Sequence, residues 1–165
     1  MHSGSCQAFA RWRDGSRAGN LTCVDVDLAY WRHLLAADDG YELSPGVTAD
    51  ELAGVEAALG AVFPEALRQA YLASDGALLR EGQYYPLWPL AEVLRRNQDD
   101  WSWDDAQRRH ELVGFGDNGT GEPFCVDRVG SDTVYHWDLI CSEATPLAET
   151  FAGFWAGWNA GTITT

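Results

Sequence analysis

Cys125, Asp127, His136 and Asp138 lie on two short segments of alternating polarity separated by Gly130-Ser131, a spacing able to put a thiol beside an imidazole. A Gly-Ser pair suits a two-residue type II′ hairpin turn. With those residues at the turn, Val129 faces Asp132, Asp127 faces Val134, Cys125 faces His136 and Phe124 faces Trp137. Phe124, Val126, Tyr135 and Trp137 then make the core face, and Cys125, Asp127, His136 and Asp138 the polar one. A base beside a thiol is the arrangement of a thiol hydrolase, with His136 activating Cys125. Against that reading, neither residue sits on a strained turn and no oxyanion-hole segment accompanies them. Free cysteine also behaves as a small hydrophobe. The expectation is a polar sheet face open to a partner, with no catalytic residue. Cys125, His136 and Cys141 lack a fourth ligand, so neither metal nor cofactor is expected.

A second constellation is Asp99-Asp100-Trp101-Ser102-Trp103-Asp104-Asp105. Tryptophan supplies large contact area, and the flanking carboxylates suit a basic protein partner. Asp99, Asp100, Asp104 and Asp105 are candidate charge partners, with Trp101 or Trp103 as anchor. The plainer alternative is a loop in which one Trp enters the core while the acids are solvated.

The third is Glu111 to Asp127, an apolar strand, a Gly-rich turn and a second strand ending on a carboxylate. Gly116, Gly119 and Gly121 punctuate the turn where unusual backbone angles are expected, and Asp117 and Asn118 are placed to bond their own backbone. No phosphate-loop lysine follows, because the chain has no lysine, and Gly119 falls where an EF-hand needs a ligand.

The elements that must position these residues follow from periodicity. Leu28, Trp31 and Leu35 predict a helix over about 24–37. Thr48 and Glu51 form a capping-box pair ahead of Leu52, Val55 and Leu59, and Gly60 ends that helix. Pro64 suits a first helical position, with Leu67, Ala70 and Tyr71 following and Gly76 as the stop. From residue 83 the period changes to two, predicting strands over 83–87, 111–115, 122–128 and 132–137. A short helix near 89–97 interrupts them. A last helix from Pro146 to about Ala160 carries Leu147, Phe151, Phe154, Trp155 and Trp158. The class is therefore α+β: N-terminal helices, a mostly antiparallel sheet of about 4–6 strands and a closing C-terminal helix in one domain. Residues 1–20, small and polar, read as a flexible leader, with the domain over 21–165.

Composition narrows the function. The chain has 165 residues, enough for one domain with a sizeable core. Its net charge is −14. Residues 1–19 hold three arginines against one aspartate, so the remainder carries −16. Such a field repels nucleic acid and anionic membrane and attracts basic proteins. No window reaches the roughly 18 apolar residues of a membrane span, and the N-terminus lacks a signal-peptide core. Four cysteines without tight spacing fit reduced thiols in a cytoplasm. Absence of lysine beside abundant Ala, Gly and Arg fits a GC-rich bacterial genome.

The Gly-rich segment resembles the hallmark of the SUKH superfamily, which includes fungal cell-wall-synthesis regulators and many bacterial immunity proteins. Val62-Phe63-Pro64-Glu65-Ala66-Leu67, Tyr71 and Ser74-Asp75-Gly76-Ala77 are similar to that family's helix and Gly turn. Tyr85-Pro86-Leu87-Trp88-Pro89-Leu90 resembles its strand-to-helix passage, and Pro146-Leu147-Ala148-Glu149-Thr150-Phe151 its final helix. The resemblance covers roughly residues 47 to 160. It departs at Glu122, where an Asp often follows the glycines, and in the extended N-terminus. It implies structural roles for Gly116, Asp117, Asn118, Gly119, Gly121, Glu122 and Asp127. It also implies an immunity protein that neutralises a polymorphic toxin, many of which are nucleases, by covering its catalytic domain in the cytoplasm. Two other classes stay open: a regulatory protein-binding scaffold without a toxin, and a Cys125/His136 hydrolase.

Overall fold

The computed structural model describes residues 23–103 and 106–165. The expected leader over 1–20 and the acids Asp104 and Asp105 lie outside the described residues. The fold is a single α+β domain. Three helices come first, α1 (Cys23–Ala36), α2 (Ala49–Leu59) and α3 (Glu65–Ala73), with strand β1 (Tyr41–Leu43) between the first two. Next are β2 (Ala77–Leu79), β3 (Tyr84–Leu87), helix α4 (Leu90–Trp103) and the single turn α5 (Gln107–His110). Strands β4 (Leu112–Asp117), β5 (Pro123–Asp127), β6 (Val134–Asp138) and β7 (Glu143–Ala148) precede the last helix, α6 (Phe151–Asn159).

Local chemistry accounts for several of these boundaries. Thr48 caps α2: its hydroxyl accepts from Glu51 N–H at 3.2 Å while Glu51 Oε2 accepts from Thr48 N–H at 2.8 Å. Gly60 ends the helix in the left-handed region at φ 58°, where a Cβ is costly. Pro64 stands one residue outside α3 as its cap, so Glu65 opens the helix, and Ser74 ends it ahead of Gly76. The predicted final helix began at Pro146, but Pro146 and Leu147 belong to β7, and α6 starts only after Thr150. The Thr150 hydroxyl accepts from Gly153 N–H at 3.0 Å, which sets the start.

Two antiparallel sheets form, β1-β2-β3 and the meander β4-β5-β6-β7. The Trp88 N–H, one residue beyond β3, donates to the Phe115 carbonyl at 2.7 Å and stitches the sheets together. Leu52 and Leu59 of α2, Leu67 and Tyr71 of α3, and Phe151, Phe154 and Trp155 of α6 bury against Val113, Phe115, Phe124 and Val126. Phe115 meets Phe151 and Phe154 edge-on, with centroids 5.2 and 5.7 Å apart. Such contacts add about 0.5–1.5 kcal/mol each beyond area burial. Among the described residues no helix is long and apolar enough to cross a membrane.

The β5–β6 hairpin corrects the predicted register by one residue. Phe124 pairs with His136, Cys125 with Tyr135 and Val126 with Val134. Phe124 and Trp137 therefore lie on opposite faces, as do Cys125 and His136. The connection is not a two-residue turn but residues 128–133. Three ties pull it away from the strands. Val62 N–H donates to the Arg128 carbonyl at 2.8 Å, the Arg128 guanidinium donates to the Leu59 carbonyl at the end of α2, and Asp132 Oδ1 accepts from Phe151 N–H at 3.2 Å. Gly130 has φ 82°, but in a turn whose N–H returns to Asp127. The predicted polar face is split: Cys125 belongs to a second small core with Leu112 and Trp137, flanked by Ala106, Tyr135 and Ala144, while His136 shares the face of Phe124.

Candidate functional site

The Gly-rich turn is built from side chains that fold it back onto the protein. Asp117 is buried, and its two oxygens have separate tasks. Oδ2 accepts from Trp88 Nε1 at 2.7 Å and from Arg96 Nη1 at 3.3 Å, and Oδ1 accepts from Gly119 N–H at 2.7 Å. Asn118 Oδ1 accepts from Thr120 N–H at 3.0 Å, and its Nδ2 donates to Thr165 Oγ1 at 2.6 Å. Asp117 and Asn118 thus bond their local backbone, as such residues do in turns. Gly119 and Gly121 take φ near 90°. Gly116 does not: it lies within β4, where a Cβ would fall 2.0 Å from the Pro86 carbonyl oxygen. Its requirement is close backbone approach rather than an unusual angle. Glu122 Oε2 lies 3.1 Å from His136 Nε2, within ion-pair distance though not aligned as a hydrogen bond. Asp127 accepts from Arg108 at 2.8 Å.

The candidate dyad is not assembled. Cys125 is fully buried on the face opposite His136, and burial pushes its thiol up to about 11. A thiol held in that range is neutral at physiological pH and is not a nucleophile. Among the described residues no group of three His, Cys, Asp or Glu side chains is arranged to hold a metal ion.

The described part of the acidic tryptophan segment, residues 99–103, is not a loop but the last turns of α4, which runs six residues past the predicted end at Asn97. Asn97 is buried inside the helix and serves β4. Its Nδ2 donates to the Gly114 carbonyl at 2.8 Å and its Oδ1 accepts from Gly114 N–H at 2.7 Å. The amide is thus a substitute strand partner, and the helix continues beyond it. Asp99 faces solvent and pairs with Arg95 at 2.7 Å. Asp100 turns inward to Arg109 at 2.6 Å. Trp101 is half-buried: its Nε1 donates to the Arg109 carbonyl at 3.1 Å and Arg128 lies over its ring at 4.4 Å. Trp103 is 86% exposed. The segment therefore presents Trp103 and Asp99 outward, while Asp100 and Trp101 are structural contacts.

Two surface features carry no local signal in the sequence. At the β6–β7 tip, Ile140 is 91% exposed and Leu139 half so, on a turn held by Asp138 Oδ1, which accepts from the N–H groups of Ile140 and Cys141 at 2.7 Å. The second is a groove of about 430 Å³ framed by Asp38, Tyr41, Tyr84, Asn118, Trp158 and Asn159. Four separate chain segments build it, so periodicity within any one of them could not reveal it.

Residues 46–157 match the model of the SMI1 / KNR4 family (SUKH-1). The matched span contains α2 to α5, all strands but β1, and most of α6. No curated protein matches the chain.

Proposed function

The chain belongs to the SMI1 / KNR4 family (SUKH-1), and from that premise we propose that it is an immunity protein. It binds the catalytic domain of a polymorphic toxin in the cytoplasm of the producing cell and blocks it stoichiometrically. The observation that carries this reading is an indole, Trp103, 86% exposed at the end of a helix on a chain of net charge −14. An exposed aromatic anchor beside carboxylates suits a basic surface, and a nuclease presents such a surface to its phosphates. The buried, neutral Cys125 thiol supports a binding role over the hydrolase alternative.

The test is co-expression with the toxin domain encoded beside it, in a sensitive cell, together with sizing of the purified pair. Protection with a 1:1 complex supports the proposal. A complex that leaves the toxin active points to the regulatory-scaffold alternative, and absence of both protection and complex overturns the proposal.

A further inference from the structure

The groove between β1, β3, the Gly-rich turn and the end of α6 has a defined chemistry. Among its described lining residues, Asp38 is the one charged side chain. Its Oδ1 accepts from Gly40 N–H at 2.8 Å, which fixes the carboxylate and leaves Oδ2 available to a ligand. Tyr84 and Trp158 meet edge-on with centroids 6.5 Å apart, and Trp158 is held from behind by Phe124 at 4.9 Å. Tyr41 donates its hydroxyl to Asn159 Oδ1 at 2.7 Å.

The hallmark turn forms one wall. Asn118 and Thr120 line the groove, and the Tyr84 ring lies so close to Gly119 that a Cβ there would stand 3.0 Å from Tyr84 Cδ1. Gly82 on the other side would place a Cβ 2.2 Å from Tyr84 Cε1. Two glycines thus seat one aromatic ring at the mouth of the groove.

A carboxylate, two aromatic rings and several amide and hydroxyl oxygens are complementary to a planar cation. Guanidinium suits such a set better than ammonium: it is less strongly hydrated, stacks on rings and donates in several directions at once. The volume falls in the range of roughly 300–1,000 Å³ typical of ligand sites and accommodates a long side chain with adjoining backbone. Burial, and after it the Asp38 charge, raises the Tyr41 hydroxyl above its ordinary range, so it stays a neutral donor to Asn159.

We propose that this groove receives an arginine side chain from the protein partner, with Asp38 pairing its guanidinium and Tyr84 and Trp158 framing it. The inference rests on the partner-binding reading for its biological meaning, but its test needs no toxin. The isotopically labelled full chain is titrated with acetyl-Gly-Arg-Gly-amide and, separately, with the same peptide carrying citrulline, which is nearly isosteric but uncharged. The arginine peptide is expected to shift the Trp158 indole and Tyr84 resonances and to bind about tenfold more tightly than the citrulline peptide. Asp38→Asn, which keeps an acceptor for Gly40, is expected to remove most of that difference without changing the melting temperature. Equal binding of the two peptides, shifts confined to other surfaces, or no shift at the solubility limit of the arginine peptide would each overturn the proposal. Uptake of the peptide by a chain that protects no cell would reject the immunity reading and keep this site. Protection without uptake would do the reverse.

Discussion

The buried guanidinium of Arg109 meets the carboxylate of Asp100 at 2.6 Å, and the same group donates to the Leu112 carbonyl at 3.1 Å and to Asn97 Oδ1 at 3.3 Å. An acid that looks in the sequence like part of a binding patch is thus the counter-charge of the interior. Losing one member of a buried ion pair costs about 3–5 kcal/mol. Asp100 is only partly shielded, so the lower end of that range applies to its replacement. Asp100→Asn should lower the urea midpoint by an amount equivalent to about 3 kcal/mol, whereas Asp99→Asn should change it by less than about 0.5 kcal/mol. Equal midpoints for the two variants would contradict the assignment.

Trp101 and Trp103 should separate in the same way. Trp101→Ala removes a half-buried ring, its bond to the Arg109 carbonyl and its contact with Arg128, a loss of about 2 kcal/mol or more of stability. Trp103→Ala should leave the melting temperature unchanged and act on the complex, accelerating dissociation from the partner more than it slows association. Kinetics by surface capture, paired with thermal melts, distinguish the two. Asp99→Asn should instead slow association, most at low salt, because steering fields are screened beyond roughly 8 Å at physiological ionic strength.

Glu92 sets an acid-side dependence. Hydrogen bonds from Arg95 and then Arg96 lower its carboxyl from the ordinary 4.5 to about 2. A folded-state value below the unfolded one means that the stabilisation is fully present above about 4.5 and disappears as pH falls towards 2. The pair is substantially exposed, so the amount lost is below about 1 kcal/mol. Glu92→Gln should lower stability above pH 4.5 and flatten the decline between these two values, as measured by chemical denaturation at a series of pH values. An unchanged slope would show that the arginines do not hold this carboxylate in solution.

Cys125 should resist iodoacetamide in the native chain at neutral pH and react only after denaturation, because its thiol is buried and pushed up to about 11. Exposed Cys141 should label under native conditions. Peptide mass mapping reads both. Cys125→Ala should also leave toxin protection intact, as expected of an inhibitor that needs a surface and no nucleophile. Loss of protection by a folded Cys125→Ala chain would return the enzyme alternative.

Features set by neighbours in the chain were legible in the sequence. The Thr48–Glu51 cap, the left-handed Gly60 and the backbone bonds of Asp117 and Asn118 involve residues close together, and each is where spacing placed it. The apolar positions of α1, α2, α3 and α6 were legible for the same reason. What failed was decided over long distances. The hairpin register depends on how Arg128 and Asp132 engage α2 and α6, and the length of α4 depends on Asn97 finding Gly114 across the sheet. Three-residue strands such as β1 and β2 are too short for alternation to show, and Pro146 disguised β7 as a helix start. The groove at Asp38 and Trp158 escaped for the same cause, since no one segment contains it.

Arg128 also has a consequence for how the chain reaches its fold. Its side chain binds the carbonyls of Leu59 and His110 and covers Trp101, so one residue closes α2, α4, α5 and β5 together. The end of α2 therefore gains its last partner only when a residue about seventy positions later is in place. Contacts of such separation slow folding, because the connecting chain loses its freedom before the contact rewards it. A chain truncated before Arg128 is therefore expected to be prey for proteases rather than a smaller working domain.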